Sequence, residues 1–168
     1  MLRLIRNLVC IGIVLVLVYL FGIKGLRTYV IVSGSMQPTL KEGDRIITVR
    51  PDRINRNDIV ILTDPRGSAE NLVARVIGLP SETVNVTEKG VFINGEHLEE
   101  PYLTETPSYT FEHEVPPRTY VVLGDNRNNS EDSKDWELLD LTVEQRFIKR
   151  KVVCRYWPLN RIKRNIER

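Results

Sequence analysis

A mainly β fold behind one N-terminal helix is predicted by three features of the sequence. Short β-branched runs alternate with turn residues from Tyr29 onward, Asn94-Gly95 sits between two such runs, and the one long apolar stretch is confined to the N-terminus. With 168 residues, 42% hydrophobic and 27% charged, there is room for one modest core plus a targeting segment.

The stretch from Asn7 to Ile23 is free of charge, with Arg3 and Arg6 before it and Lys24 and Arg27 after it. As a helix it would span about 25 Å, a little under the hydrocarbon thickness, so Arg6 and Lys24 would extend to the two interfaces. A retained anchor is favoured over a cleaved signal, because Gly22-Ile23-Lys24 lacks the small-residue cleavage pattern. Basic residues at both ends leave the orientation open.

Strands are predicted at Arg45 to Val49, Asp58 to Leu62, Leu72 to Leu79, Thr83 to Val86, Gly90 to Ile93, Tyr120 to Leu123 and Lys151 to Tyr156. Asn94-Gly95 closes a hairpin, since both central positions of a two-residue turn take positive φ. Glu99 to Pro117 is weakly patterned and reads as a loop or extended arm. Leu138 to Ile148 reads as a helix, with Thr142 and Gln145 spaced as a capping box.

Composition excludes several functions. A net charge of +2 without a Lys/Arg block argues against nucleic acid. Cys10 and Cys154 are poorly placed to pair and read as two buried thiols. His97 and His113 stand alone, so neither a metal nor a cofactor is expected.

The chemistry-bearing stretches are "IVSGSMQPTL" (31 to 40), "EGDRIITV" (42 to 49), "RVIGLP" (75 to 80), "GDNRNNSEDSK" (124 to 134) and "RYWPLNRI" (155 to 162). A serine hydroxyl is a weak nucleophile and needs a base within reach and donors aimed at the developing oxyanion, so Ser35 alone decides nothing.

Taken together and in this order, the stretches resemble the type I signal peptidases, membrane-anchored serine endopeptidases that remove signal peptides from exported preproteins. The resemblance implies an all-β core of twisted antiparallel sheets and a single-pass location in the bacterial cytoplasmic membrane. It divides the chain into a cytoplasmic terminus (1–7), a transmembrane anchor (8–27) and an extracytoplasmic catalytic domain (28–168) with a small hairpin region at about 83–117. The implied partners are preprotein signal peptides and the lipid bilayer, with no nucleic acid, metal or cofactor.

Residue by residue, the resemblance implies that Ser35 is the nucleophile, Ser33 joins the Ser35 backbone N–H in the oxyanion hole, and Ser130 positions the base. Gly43, Asp44, Asp132 and Lys134 match structural support positions, Lys134 standing where the family usually has arginine. Pockets for the small residues one and three positions before the cut would be lined near Ile31, Val32, Met36, Leu40, Leu72 and Val73, fitting an Ala-x-Ala preference. Val32 departs from a common proline, and Ser81-Glu82 from Gly-Asp.

The family's general base is a lysine immediately before "RVIGLP", and that position is Ala74. A methyl group accepts no proton, and Arg75 offers only donors and points to the opposite face of a strand. Activity of this copy is therefore expected to be impaired, through an introduced substitution or natural loss. Ala69 and Ala74 are the only alanines, which favours the first. The alternative is a naturally non-catalytic homologue that binds signal peptides or regulates an active partner.

Overall fold

A computed structural model describes residues 2–23, 25–67, 71–135 and 141–164. Helix α1 (Leu2–Leu17) runs into a π-helical turn at Val18–Ile23. Among the described residues twelve strands follow: β1 (Arg27–Val30), β2 (Arg45–Val49), β3 (Ile59–Thr63), β4 (Asn71–Gly78), β5 (Thr83–Thr87), β6 (Gly90–Ile93), β7 (Glu96–His97), β8 (Phe111–Glu114), β9 (Thr119–Leu123), β10 (Val143–Glu144), β11 (Ile148–Trp157) and β12 (Lys163–Arg164).

The main sheet has the order β1-β2-β11-β3-β4-β9-β10, with β12 added to β11, and the small sheet the order β7-β6-β5-β8. All pairings among the described residues are antiparallel. Period-two burial explains the main strands: in β2 Ile46 and Thr48 point inward, and in β5 Val84 and Val86 do.

Three apolar clusters form the core. Val60, Leu62, Ala74, Val76, Tyr120, Val122, Val143 and Ile148 fill one face of the main sheet. Ile31, Met36, Leu40, Ile46, Ile59, Ile61 and Val152 pack under the turn that follows β1. Ile77, Val121 and Leu123 join the small sheet's Val84, Val86, Val91 and Ile93 in the third. The sheets approach closely at Gly78, where a Cβ would lie 2.5 Å from Val84 Cγ2.

Several sequence expectations change. The helix expected over 138 to 148 does not form in its described part: Leu141 takes a φ of 55°, Val143 pairs with Tyr120 in β10, and Gln145–Phe147 is a single 3-10 turn before β11. Burial of Val143 against Tyr120 outweighs the local capping pattern; residues 138 to 140 lie outside the described residues. The segment read as a loop or extended arm from 99 to 117 contains β8, which is held by pairing with β5. The thiols are not buried: Cys10 is exposed and Cys154 half-buried. At the N-terminus the helix begins at Leu2, and Arg27 already belongs to β1. No helix among the described residues is long and apolar enough to cross a membrane.

Candidate active site

Ser35 lies in the turn that carries the chain from β1 to β2, and the base of that turn is clipped shut by its own backbone. Ile31 N–H donates to Asp44 O and Gly43 N–H to Ile31 O, both at 2.9 Å. Gly43 makes this possible with a φ of 82°, a conformation that strains any residue with a Cβ. The buried Asp44 carboxylate accepts from Lys41 N–H at 2.9 Å and pairs with Arg155 and Arg161 at 3.3 and 3.1 Å. Arg155 also donates to Thr39 O at 2.5 Å, so the "RYWPLNRI" stretch holds the turn from outside. Burial pulls the Arg155 guanidinium below its ordinary pKa, the Arg161 charge adds to this, and Asp44 opposes both.

The far side of the turn is held by the segment after β9. Asn126 N–H donates to Ser35 O at 3.0 Å and its side-chain amide to Gly34 O at 3.2 Å. Gly124 permits the approach: a Cβ there would meet Ser130 Cβ at 2.5 Å and Ser35 O at 2.6 Å. Neither Gly124 nor Asn126 is singled out by sequence reasoning, although both belong to a stretch that it flags.

Ser33 Oγ and Ser35 Oγ are hydrogen-bonded at 3.1 Å. Ser130 donates to the Asp132 carboxylate, which also accepts from Gly124 N–H at 2.8 Å and Lys134 N–H at 3.2 Å. The Lys134 ammonium donates to Ser130 O, lies 3.5 Å from Ser130 Oγ and pairs with Asp135 at 2.9 Å. Burial pushes the Asp132 carboxyl above the usual carboxylate range, against the opposing pull of Lys134 and the hydrogen bonds from Gly124 and Ser130.

These groups open onto a cleft of about 980 Å³, lined by Ile31, Val32, Ser33, Ser35, Leu72, Val73, Ser130 and Lys134 among others. The structure thus brings together four of the six residues expected to line the substrate pockets. Met36 and Leu40 lie fully buried beneath the turn, in the apolar cluster with Ile31, Ile46 and Ile61. Ala74 is buried as well, packed in the apolar cluster with Val60, Val76 and Val122. In the β4–β9 ladder Arg75 pairs with Leu123 and Val76 with Val122, so Ala74 lies just before the last paired residue of β4, at the end where β9 runs into Gly124.

The two histidines lie on the small sheet, His97 edge-on to Phe92 and His113 opposite Val84. Among the described residues no three His, Cys, Asp or Glu side chains gather as a metal site would require. Arg75 does face away from Ala74, into a buried pair with Asp125 at 2.8 and 2.6 Å.

Residues 3–157 match the family described as "Signal peptidase, peptidase S26". The chain belongs to the signal peptidase family. It is 42% identical to a signal peptidase I of Leptolyngbya laminosa over 82% of this chain and 74% of that one. It is 34% identical to signal peptidase I U of Bacillus subtilis over 79% of each. A crystal structure of a signal peptidase I from Enterococcus faecalis superposes with a TM-score of 0.50 at 31% identity, covering 58% of this chain and 94% of that one. Signal peptidases I are serine endopeptidases with a mainly β, antiparallel architecture, which is the fold class seen here.

Proposed function

We propose that this chain is a signal peptidase I that acts on the signal peptides of exported preproteins through Ser35, with catalysis impaired at Ala74. The observation that carries the reading is the Ser33–Ser35 hydroxyl pair, 3.1 Å apart in a cleft with Ile31, Val32, Leu72 and Val73 in one part of its lining and Ser130 and Lys134 in another.

Ser35 Oγ attacks the carbonyl carbon of the residue before the cut. Its proton must leave, and the carbonyl oxygen becomes an oxyanion received by the Ser33 hydroxyl and the Ser35 N–H. Collapse expels the mature protein's amine, which takes up a proton, and leaves an acyl ester on Ser35 that water hydrolyses. The proton steps need a base. A lysine at position 74 would enter a cluster of valines and a tyrosine, where desolvation lowers the pKa of an ammonium and makes it a competent acceptor. Alanine leaves the oxyanion donors and the cleft, a remainder worth on the order of 10³ to 10⁴ over water in serine hydrolases. Ser130, beside Gly124, would position the base, with Asp132 and Lys134 behind it.

Ile31, Val32, Leu72 and Val73 give a shallow apolar lining suited to small side chains, in keeping with cleavage after Ala-x-Ala. Met36 and Leu40 support that lining from within the core.

Attachment to the bacterial cytoplasmic membrane, with the domain on its outer face, is part of the same reading. From Leu8 to Val18 of the N-terminal helix Leu, Ile and Val side chains are exposed without a core to enter, and lipid suits them. At the catalytic domain, Val30 pairs with Arg45 and Arg45 with Trp157 along one end of the main sheet, and Val32, Leu159 and Ile162 add further exposed apolar surface. Amphipathic aromatics such as Trp157 favour the membrane interface.

The departures at Lys134 and Ser81-Glu82 support a second reading, a natural non-catalytic homologue that holds signal peptides. The two separate in the Ala74→Lys background. There, Ser35→Ala is expected to abolish preprotein cleavage and Ser33→Ala to lower kcat by about 10² to 10³; a background that binds signal peptides but never cuts them supports the second reading.

A further inference from the structure

The segment that links β7 to β8 of the small sheet reaches back to the active-site turn through a chain of buried charges. The Glu100 carboxylate accepts three bonds: two from the Arg127 guanidinium, one of them 2.9 Å, and one from Tyr102 Oη at 2.7 Å. Arg127 is fully buried and its Nε donates to Gly124 O at 3.1 Å. Asp125, between Gly124 and Asn126, is gripped by Arg75, whose guanidinium stacks 3.7 Å from the Tyr102 ring centre and donates to Asn57 O at 3.1 Å.

Two buried cations, Arg75 and Arg127, therefore meet two buried anions, Asp125 and Glu100. Burial pulls Arg127 down, and the Glu100 carboxylate more than reverses it, so the net shift is upward. Tyr102 is pushed far above its ordinary value, first by burial and then by Glu100, and stays a neutral donor. The four groups form a closed arrangement whose output is the backbone path Gly124-Asp125-Asn126. That path delivers the Asn126 N–H to Ser35 O and the Asn126 amide to Gly34 O.

We propose that Glu100 and Tyr102 are positioning residues for the Ser35 turn, acting through Arg127 and Asn126. The proposal rests on the reading of Ser35 as nucleophile only for its kinetic consequence; the geometric part stands without it. Each step is a direct contact. Losing the Glu100 charge leaves Arg127 buried without a counter-ion, and the cheapest relief is for the 124–127 path to shift toward water. Asn126 then releases Ser35 O, and the hydroxyl loses its fixed place relative to the oxyanion donors. Small misplacements of this kind weigh heavily on rate and little on binding.

The test uses the full chain and reads two quantities. Amide hydrogen exchange compares Asn126 N–H with the core amide of Val91 in the small sheet. In Glu100→Gln, Asn126 exchange is expected to rise at least about tenfold with Val91 unchanged, a local opening rather than global unfolding. In Tyr102→Phe, which keeps the ring over Arg75 and removes one bond, a smaller rise at Asn126 is expected. In the Ala74→Lys background, Glu100→Gln is expected to lower kcat by about 10- to 100-fold with KM within about twofold, and Glu100→Asp to recover part of it. Unchanged Asn126 exchange in both variants, or a rise shared equally by Val91, overturns the proposal. If Ala74→Lys itself cuts nothing, the reading of Ser35 fails while the exchange result still decides the positioning role.

Discussion

Ala74 and Arg75 are neighbours on β4 and face opposite worlds: the methyl group of Ala74 packs among valines, while the Arg75 guanidinium is wholly buried against Asp125 at 2.6 Å. Strand alternation alone separates them. One face carries the position proposed for the base, and the other anchors the segment that holds the Ser35 turn. The anchor is strong because both partners lie at 0% exposure and Arg75 has a further acceptor in Asn57 O.

Breaking that pair from one side leaves an uncompensated buried charge. Asp125→Ala is expected to destabilise the fold by about 3 to 5 kcal/mol, read as a lower midpoint in urea with an unchanged slope. A loss under about 1 kcal/mol would show that the Tyr102 ring and Asn57 carry Arg75 unaided.

Ser81 stands in the left-handed region with a φ of 67°. Its N–H donates to Val115 O at 2.8 Å and tethers the small sheet, so the conformation is imposed. A non-glycine residue there costs about 1 to 2 kcal/mol, and the greater chain entropy of glycine offsets about half of any gain. Ser81→Gly is therefore expected to raise stability by about 0.5 to 1 kcal/mol, measured by denaturant titration; a decrease would mean that the serine side chain contributes a contact of its own.

Asp132 makes the stability of the domain depend on pH. Burial raises its folded pKa above the usual carboxylate value. The folded state then holds a proton that the unfolded state has released, so stability falls as pH rises from the ordinary carboxylate range through the raised folded value. Asp132→Asn removes this component, and the melting temperature of the variant is expected to decline less steeply over that window. A steeper decline in the variant would reverse the sign of the argument.

Much of the fold is legible in the sequence because alternation and turn chemistry are local. β2 and β6 begin and end where their β-branched runs do, and Asn94 and Gly95 take the positive φ values that the hairpin needs. β8 is not legible, since "FEHE" carries a charge at every second position and becomes a strand only because β5 pairs with it. The capping pattern at Thr142 misleads for the same reason: pairing of Val143 with Tyr120 is a tertiary event. In the site, Ser33, Ser35 and Ser130 stand in recognisable stretches, whereas the link from Glu100 to Arg127 joins distant segments with no period or motif to announce it. Met36 and Leu40, which the resemblance places near the substrate pockets, are fully buried beneath the turn.

The most direct test of the account is cleavage of a preprotein bearing Ala-x-Ala, by this chain and by its Ala74→Lys variant side by side in detergent, with the released signal peptide identified by mass spectrometry. The account expects cleavage after the second alanine by the variant and a rate lower by orders of magnitude for the chain with Ala74. Equal cleavage by both would contradict it, because Ser35 would then be giving its proton to a group other than one at position 74.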